Sequence, residues 1–382
     1  MLPTYLDNSA TTRVCGAAAD AAYRLMTEVY GNPSSLHTLG FRAEQELTAA
    51  RRQVATLVGC EEGEITFTSG GTEANNLAIF GASAAHPRDG RHIVTTAVEH
   101  ASVSAAMDAL EKDGYTVTRL VPDESGTLTA DAIVAACRPD TVLVAVMLVN
   151  NEIGSRFPIE QAVPAIRRAA PRAHIHCDAV QAAGKLPIRA SRWGLDSVAI
   201  SAHKIHGPKG VGALYLRKGA RLIPRQYGGK QEDGLRPGTE AAPLIAAFGA
   251  AIGELPPIPQ QMAHYDALRR HLLSRLGDNP CVRFHLPVGG VPYIIHLSVP
   301  GYKSETLLHF LAQKEIYVSS GSACSKGAKS PVLTAMGLPA EEIDSALRVS
   351  LCRDNTIEDM DRFADGLLEA VEKLARKDRN YV

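Results

Sequence analysis

The chain has 382 residues, 45% of them hydrophobic, so it can bury a sizeable core and has the length of two or three domains. Its 40 lysines and arginines nearly balance its 41 aspartates and glutamates, which leaves a formal net charge of -1. This balance excludes binding of nucleic acid or an anionic membrane through a global positive field. A charged partner would have to contact a local patch.

The N-terminal sequence has no basic stretch followed by an apolar run, and no uncharged apolar segment approaches the length of a membrane-spanning helix. We therefore expect a cytoplasmic protein that makes no membrane contact. The seven cysteines include no C-x-x-C pair, which fits neither a disulfide framework nor a zinc site. Any functional cysteine is expected to act as a thiol, and no metal site is predicted.

Short β-rich segments alternate with longer helical patterns between residues 60 and 255, which indicates a parallel sheet with crossover helices. Several of the segments are apolar throughout, as is typical of strands covered on both faces. The predicted strands are 64–69, 92–98, 116–121, 142–149, 174–178, 197–201 and 211–216. The predicted helices between them are 72–85, 101–113, 129–136 and 159–170.

The pattern changes after residue 253, where Pro256, Pro257 and Pro259 fall within four positions. Prolines this close together break helices and central strands alike, so we expect a short linker. Beyond it, the predicted elements are helices at 261–276, 305–313 and 357–376 and strands at 293–299, 317–318 and 346–351. The expected organisation is an N-terminal arm (1–14), a large α/β domain (15–255) and a small α+β domain (256–382).

Lys204 follows the predicted strand 197–201 and stands beside His203. A crowded lysine at a strand end can have its pKa lowered enough to form a Schiff base with an aldehyde. Asp178 ends the preceding strand, where it can pair with a pyridinium nitrogen or, alternatively, cap a helix. By itself Lys204 would be interpreted as a surface lysine, and its neighbours change that interpretation.

The segment 68–74 carries a strand end, the glycines Gly70 and Gly71, and a helix start at Thr72. Free backbone N–H groups, the helix dipole and the threonine hydroxyl together favour phosphate binding. The segment matches neither G-x-G-x-x-G nor the P-loop, so a phosphate ester smaller than a dinucleotide or a nucleoside triphosphate is expected.

Polar side chains end four successive apolar strands, at the edge where open α/β sheets bind ligands. His100 ends the second strand and can stack on a flat ring or relay a proton, although a structural role is the alternative. The full set of strand-end groups is His100, Asn151, Asp178, Ser201 and Lys204.

Two residues of the C-terminal part also carry chemical meaning. Cys324 lies in a run of small residues with Lys326 and Lys329 nearby, which favours an accessible thiol biased toward the thiolate. Arg348 lies within an apolar strand and needs a partner there. That partner is either a bidentate substrate carboxylate or an internal salt bridge.

Together these motifs closely resemble the cysteine desulfurases of the NifS and IscS type, which are class V aminotransferases and fold-type I pyridoxal phosphate enzymes. The resemblance spans nearly the whole chain. It is carried by YLDNSATT (5–12), GNPSSLH (31–37), SGGTE (69–73), NEIG (151–154), DAVQ (178–181), SAHK (201–204), GLRPGT (234–239) and the Cys324 loop. It implies a mainly parallel seven-stranded sheet flanked by helices, with a smaller α+β C-terminal domain.

The resemblance also implies roles for particular residues. Lys204 would bind pyridoxal 5'-phosphate covalently, Asp178 would pair with its ring nitrogen, and Gln181 would contact its ring oxygen. His100 would stack on the ring and assist proton transfer. The phosphate would be held by Gly71, Thr72, Ser201, His203 and, in a homodimer, Thr239 of the partner subunit. The carboxylate of the L-cysteine substrate would be held by Asn32, Asn151 and Arg348.

Cys324 would take the substrate sulfur as a persulfide and leave alanine. Its Ser-rich run is similar to that of the long-loop subgroup, which passes sulfur to an Fe–S scaffold or a tRNA-thiolation protein. Lys230, Pro237 and Cys352 depart from the family pattern, and the sequence leaves the acceptor open. The alternatives are a selenocysteine lyase or another class V enzyme, and a non-catalytic regulator; a nicotinamide oxidoreductase lacks its glycine fingerprint.

Overall fold

The computed structural model describes residues 3–86, 88–320 and 330–376. The helices of this part are α1 (Gly16–Thr27), α2 (Thr38–Val58), α3 (Gly71–Ala85), α4 (Ala101–Lys112), α5 (Ala130–Ala135), α6 (Ile159–Ala169), α7 (Ala190–Trp193), α8 (Ala242–Gly253), α9 (Ile258–Leu276), α10 (Ser304–Ala312), α11 (Pro331–Ala335), α12 (Ala340–Asp344) and α13 (Ile357–Lys373). The strands are β1 (Thr4–Tyr5), β2 (Ile65–Thr68), β3 (His92–Thr96), β4 (Thr116–Leu120), β5 (Thr141–Ala145), β6 (His174–Asp178), β7 (Ser197–Ser201), β8 (Gly212–Leu216), β9 (Arg283–His285), β10 (Ile294–Ser298), β11 (Ile316–Tyr317) and β12 (Ala346–Ser350).

The main sheet has seven strands in the order β2-β8-β7-β6-β5-β3-β4. The neighbours from β7 to β4 pair in parallel, whereas β8 runs antiparallel to both β7 and β2. Every residue of β5, β6 and β7 is buried, because helices cover both faces of a parallel sheet. The predicted fold class, a mainly parallel seven-stranded sheet flanked by helices, is confirmed.

A second sheet lies in the C-terminal part, where β10 pairs antiparallel with both β9 and β12. The N-terminal β1 pairs in parallel with β11, and Asp7 forms an isolated bridge with Ser350 at the end of β12. The first residues of the chain therefore contact elements near its C-terminal end. The division at residues 14 and 255 stays a prediction.

Several details differ from the sequence prediction. The sequence pattern assigned no helix to 16–58, where the structure has α1 and α2. Pro259 lies in the first turn of α9, not in a linker, because the first turn of a helix needs no proline N–H. The interruption is thus limited to the residues between α8 and α9.

No single helix of the described residues is long and apolar enough to span a membrane. Helices α8 and α9 reach that length and apolarity only as a pair, and the pair is bent by 77° at its break.

Candidate active site

Strands β3, β5, β6 and β7 are adjacent and parallel, so their carboxyl ends meet at one edge of the sheet. Asp178 and Ser201 are the last residues of β6 and β7, and both side chains are buried. The prediction that His100 and Asn151 end strands is wrong in detail, because β3 stops at Thr96 and β5 at Ala145. They lie in the turns that follow, since a polar side chain that faces a ligand must leave the covered sheet.

Asp178 is held in a buried polar network. Its Oδ2 accepts a hydrogen bond from Asn75 Nδ2 at 2.7 Å, and its Oδ1 accepts one from the backbone N–H of Val180 at 3.0 Å. Asn75 Oδ1 lies 2.9 Å from His176 Nε2. Burial lowers the pKa of His176 to about 3, so its ring is neutral and donates from Nε2 to Asn75. The carboxylate therefore has a fixed orientation.

The turn before α3 leaves space beside Ser201. Gly70 has φ +154, and a Cβ on Gly71 would lie 2.7 Å from the Cγ2 atom of Val180. Thr72 follows in the first turn of α3 and is exposed. Glycine is thus required sterically at residue 71, where the first N–H groups of the helix are open to an anion.

Gln181 has one amide atom without a hydrogen-bond partner. Its Nε2 donates to the carbonyl oxygen of Ser9 at 3.0 Å. Its buried Oε1 has no hydrogen bond to any of the described residues. A buried polar atom without a partner is costly, so this side chain is suited to a further polar group at the site.

His100 caps α4 and has a defined tautomer. Its Nδ1 accepts a hydrogen bond from the backbone N–H of Ser102 at 3.1 Å, and the same atom lies 2.8 Å from the hydroxyl oxygen of Ser102. Because Nδ1 accepts, the ring proton of a neutral His100 is on Nε2. Burial, followed by the charge of Lys204, lowers the pKa of His203 to about 4, so His203 is neutral as well.

Lys204 directs its ammonium group into the protein. Its Nζ donates to the carbonyl oxygens of Ser9 at 2.5 Å and Ala10 at 2.7 Å. Burial, together with the charges of Arg348 and Lys185, lowers the pKa of Lys204 to about 7. Lysine ordinarily titrates near 10.4. The Lys204 amine is therefore substantially neutral near pH 7, which a nucleophilic or proton-accepting lysine requires.

Arg348 lies on β12 with 2% of its surface exposed. It donates from Nη2 to Asp7 Oδ1 at 2.8 Å and from Nη1 to the carbonyl oxygen of Asn151 at 2.9 Å. The internal salt bridge that the sequence left as an alternative is thus present. The contact also brings Asn151 and Arg348, which the sequence assigned to one carboxylate, next to each other.

Two of the predicted site residues that the structure describes are not joined to this cluster. Asn32 is exposed and accepts a hydrogen bond from the Ser34 backbone N–H at 2.9 Å. Thr239 is exposed, and no hydrogen bond between described residues connects it to Lys204 or Ser201. Cys324 lies outside the described residues.

The sequence interpretation missed four contributors to the site. Ser9 and Ala10 act through backbone carbonyls, which no side-chain motif can reveal. Asn75 lies one turn after Gly71 on α3, so its spacing from the phosphate turn was the available signal. Lys185 carries a second buried ammonium group, 3.2 Å from the Lys204 carbonyl oxygen. The signal in the sequence was that Lys185 stands in an apolar segment, where a lysine side chain has no evident exposed position.

Comparison with known proteins gives consistent matches. Residues 4–363 match the family model described as Aminotransferase class-V. A protein of Methanosarcina thermophila named cysteine desulfurase IscS is 40% identical over 377 residues, covering 97% of this chain and 92% of the relative.

Two solved structures have the same fold. One, described as a NifS-like protein, superposes with a TM-score of 0.92 at 33% identity and covers 98% of this chain and 100% of its own. The other, described as SspA in complex with cysteine, has a TM-score of 0.81 at 31% identity, with 91% and 98% covered. The resemblance drawn from the sequence motifs is confirmed.

Proposed function

The chain belongs to the class V aminotransferase family and is a cysteine desulfurase, and we propose that Lys204 holds its pyridoxal 5'-phosphate and Cys324 receives the sulfur of L-cysteine. The observation that carries the proposal is the position of Lys204, which follows β7 and directs its amine into the protein, one strand away from the buried Asp178 carboxylate. A lysine nucleophile and a carboxylate for a ring nitrogen are the two groups that this cofactor needs.

The other residues of the site fit a phosphorylated pyridine ring. The glycine turn before α3 supports its phosphate, because bulkier residues would close the turn and the N–H groups are open. Gln181 Oε1, which lacks a partner among the described residues, would accept a hydrogen bond from the ring hydroxyl while Nε2 stays on the Ser9 carbonyl. His203, whose pKa burial lowers to about 4, is neutral and adds no charge that would compete with Asp178 for the ring nitrogen.

When bound, pyridoxal phosphate supplies an electron sink for negative charge at the substrate α-carbon. Asp178, oriented by Asn75, would pair with the protonated ring nitrogen. Lys204, once released from the carbonyls of Ser9 and Ala10, accepts the α-proton on its Nζ atom. The Nε2–H of His100 is the donor available for a second proton transfer.

Cys324 is the residue proposed to receive the sulfur of the substrate. Its thiol sulfur bonds to the sulfur of cysteine as the Cβ–S bond of the substrate breaks, and the carbon gains a proton to give alanine. The net change converts L-cysteine and one protein thiol into L-alanine and one protein persulfide, which balances in atoms and electrons. Support comes from the position of Cys324 in a small-residue basic run and from the relatives that carry this family name.

A homodimer is part of the proposal. Five large apolar side chains of segment 23–41 are exposed, with fractions between 57% and 105%: Tyr23, Met26, Tyr30, Leu36 and Phe41. A surface this apolar marks an interface. A second copy would cover it and bring Thr239 of the partner subunit to the phosphate, which agrees with the exposure of Thr239 within one chain.

A persulfide is a sulfur donor, so a thiol-bearing acceptor protein must consume it; an Fe–S scaffold or a tRNA-thiolation enzyme is the proposed partner. The six cysteines of the described residues are all free thiols, which supports the cytoplasm as the proposed location.

The experiment that tests the cofactor site is an absorption spectrum of the purified protein with pyridoxal phosphate. Wild type is expected to gain a visible absorption band, characteristic of the cofactor bound to a lysine, with roughly one equivalent of cofactor per chain. Lys204→Ala should lack this band, and Lys209→Ala, which removes an exposed lysine of the same loop, should retain it. A band of wild-type intensity in Lys204→Ala would contradict the assignment.

A further inference from the structure

Lys185 is a second lysine buried behind the proposed site, with 5% of its surface exposed. Its Nζ donates to the carbonyl oxygen of Lys204 at 3.2 Å and lies 5.2 Å from the ring centre of Tyr293. In the described ranges no carboxylate lies within ion-pair distance of it. A backbone carbonyl and an aromatic face therefore stabilise this ammonium group.

The backbone around Lys185 is held on both sides. Gly184 has φ +71, and a Cβ there would lie 2.8 Å from Leu255 Cδ1, so only glycine fits. The Gly184 carbonyl accepts a hydrogen bond from Gln261 Nε2 at 2.9 Å. The Tyr293 hydroxyl donates to the Gln181 carbonyl at 3.0 Å. The charge of Lys185 thus has a fixed position beside the Lys204 loop.

The charge of Lys185 acts on His203, Lys204 and His206 of the Lys204 loop and on Cys352 after β12, and Tyr265 packs edge to face on Tyr293. Arg348, Asp7 and Asp178 act in turn on Lys204, and Arg353 and Asp354 act on His206. Positive groups dominate on the side facing Lys204. Of these positive groups, Lys185 is the one that contacts the backbone of Lys204.

His206, Cys352 and Asp354 place their ligand atoms within 4.8 Å of one another. Arg353 Nε lies 3.7 Å from Asp354 Oδ1, and the charge of Lys185 acts on both Cys352 and His206. Two positive charges beside three ligands oppose a divalent cation. The cluster is therefore not proposed as a metal site.

We propose that Lys185 is a positioning residue for the reaction: its fixed positive charge keeps the Lys204 amine unprotonated, and its hydrogen bond holds the Lys204 backbone. The inference rests on the proposed role of Lys204. Two ammonium groups close together in a buried site repel each other, so the site favours one charge.

The directions of the two pKa values agree with this division. Burial lowers the pKa of Lys185 to about 8, whereas burial with the charges of Arg348 and Lys185 lowers that of Lys204 to about 7. A lysine is neutral above its pKa, so between these values Lys204 is largely neutral while Lys185 is largely charged. Loss of the Lys185 charge should therefore raise the pKa of Lys204.

The test measures how fast cofactor-depleted full-length protein takes up pyridoxal phosphate between pH 5.5 and 9.5, followed by the growth of the visible band. The uptake rate should fall at low pH as the Lys204 amine becomes protonated. The pH at which this fall is half complete, the midpoint, reports the pKa of the free Lys204 amine. Lys185→Gln keeps a hydrogen-bond donor but removes the charge. Lys185→Met removes both the donor and the charge, and Lys185→Arg keeps both. Lys209→Met removes an exposed charge of the same loop and is the control.

The midpoint should rise by about one pH unit in Lys185→Gln and Lys185→Met and stay in place in Lys185→Arg and Lys209→Met. An unshifted midpoint in Lys185→Gln, or an equal shift in Lys185→Arg, would overturn the inference. Either result would leave the proposed function intact, because that requires only a band that depends on Lys204. If Lys185→Met does not fold, the comparison of the glutamine and arginine variants decides.

Discussion

Asn75 offers a quantitative test of the site, because it is the side chain that orients Asp178. In Asn75→Ala, Asp178 Oδ2 loses a 2.7 Å donor, and the Nε2–H of His176 loses its acceptor at 2.9 Å. A hydrogen bond to a charged group contributes about 1.5–3 kcal/mol, and a buried donor without a partner costs about 1–3 kcal/mol. Together these predict a fall of roughly 3 kcal/mol in the free energy of unfolding.

The same change should weaken the cofactor. Without its donor, the Asp178 carboxylate is less stable as an anion and pairs less well with a protonated ring nitrogen. Since about 1.4 kcal/mol is a factor of ten, the dissociation constant for pyridoxal phosphate should rise on the order of 10- to 100-fold. The assays are titration of the visible band for affinity and urea unfolding of the cofactor-depleted protein for stability.

Asn76→Ala is the matched control, because it makes the same truncation on the same helix. Asn76 Nδ2 donates only to the carbonyl oxygens of Thr72 and Ser102 and does not contact Asp178. We expect this control to lose less than about 1 kcal/mol. An Asn75→Ala protein whose cofactor affinity stays within about twofold of the control would refute the reasoning.

Three further predictions follow from single contacts. His100→Ala removes the cap of α4 and the ring, so the unfolding free energy should fall by about 1 kcal/mol and turnover on the order of 100-fold, whereas His100→Asn should restore stability without turnover. Burial alone would raise the pKa of Asp196, but His174 and Arg167 lower it below its usual value. Its stabilisation is therefore present above pH ~4 and lost below, so Asp196→Asn should cost about 3 kcal/mol in urea unfolding at pH 7 and progressively less toward pH 3. Tyr30→Asp should convert dimer to monomer by light scattering, and an unchanged mass would contradict the proposed interface.

The sequence was most informative where the chain is buried on both faces. The predicted bounds of β6 and β7 agree with the structure because each is a short, fully buried run that ends at a polar residue, Asp178 or Ser201. The antiparallel direction of β8 could not be predicted, since hydrophobic pattern carries no strand direction. The sequence pattern left α1 and α2 unassigned, although Leu47, Ala50, Val54 and Val58 of α2 are buried at helical spacing, so the signal for that helix was present.

The candidate site was predictable where a side chain carries the chemistry. Lys204, Asp178 and Ser201 could be placed together because the ends of parallel strands meet at one edge. The roles of Asn75 and Lys185 depend on contacts across the fold, and those of Ser9 and Ala10 on backbone carbonyls. Such contacts leave no local signature in a single sequence.

The central claim is that Cys324 receives sulfur from cysteine at a site loaded through Lys204, and product analysis tests it most directly. Wild-type protein loaded with pyridoxal phosphate and given L-cysteine should form L-alanine and, without added thiol, one persulfide per chain. Cys324→Ala should keep the visible band and form neither product. Alanine formation at the wild-type rate by Cys324→Ala, or pyruvate as the main product of wild type, would contradict the account.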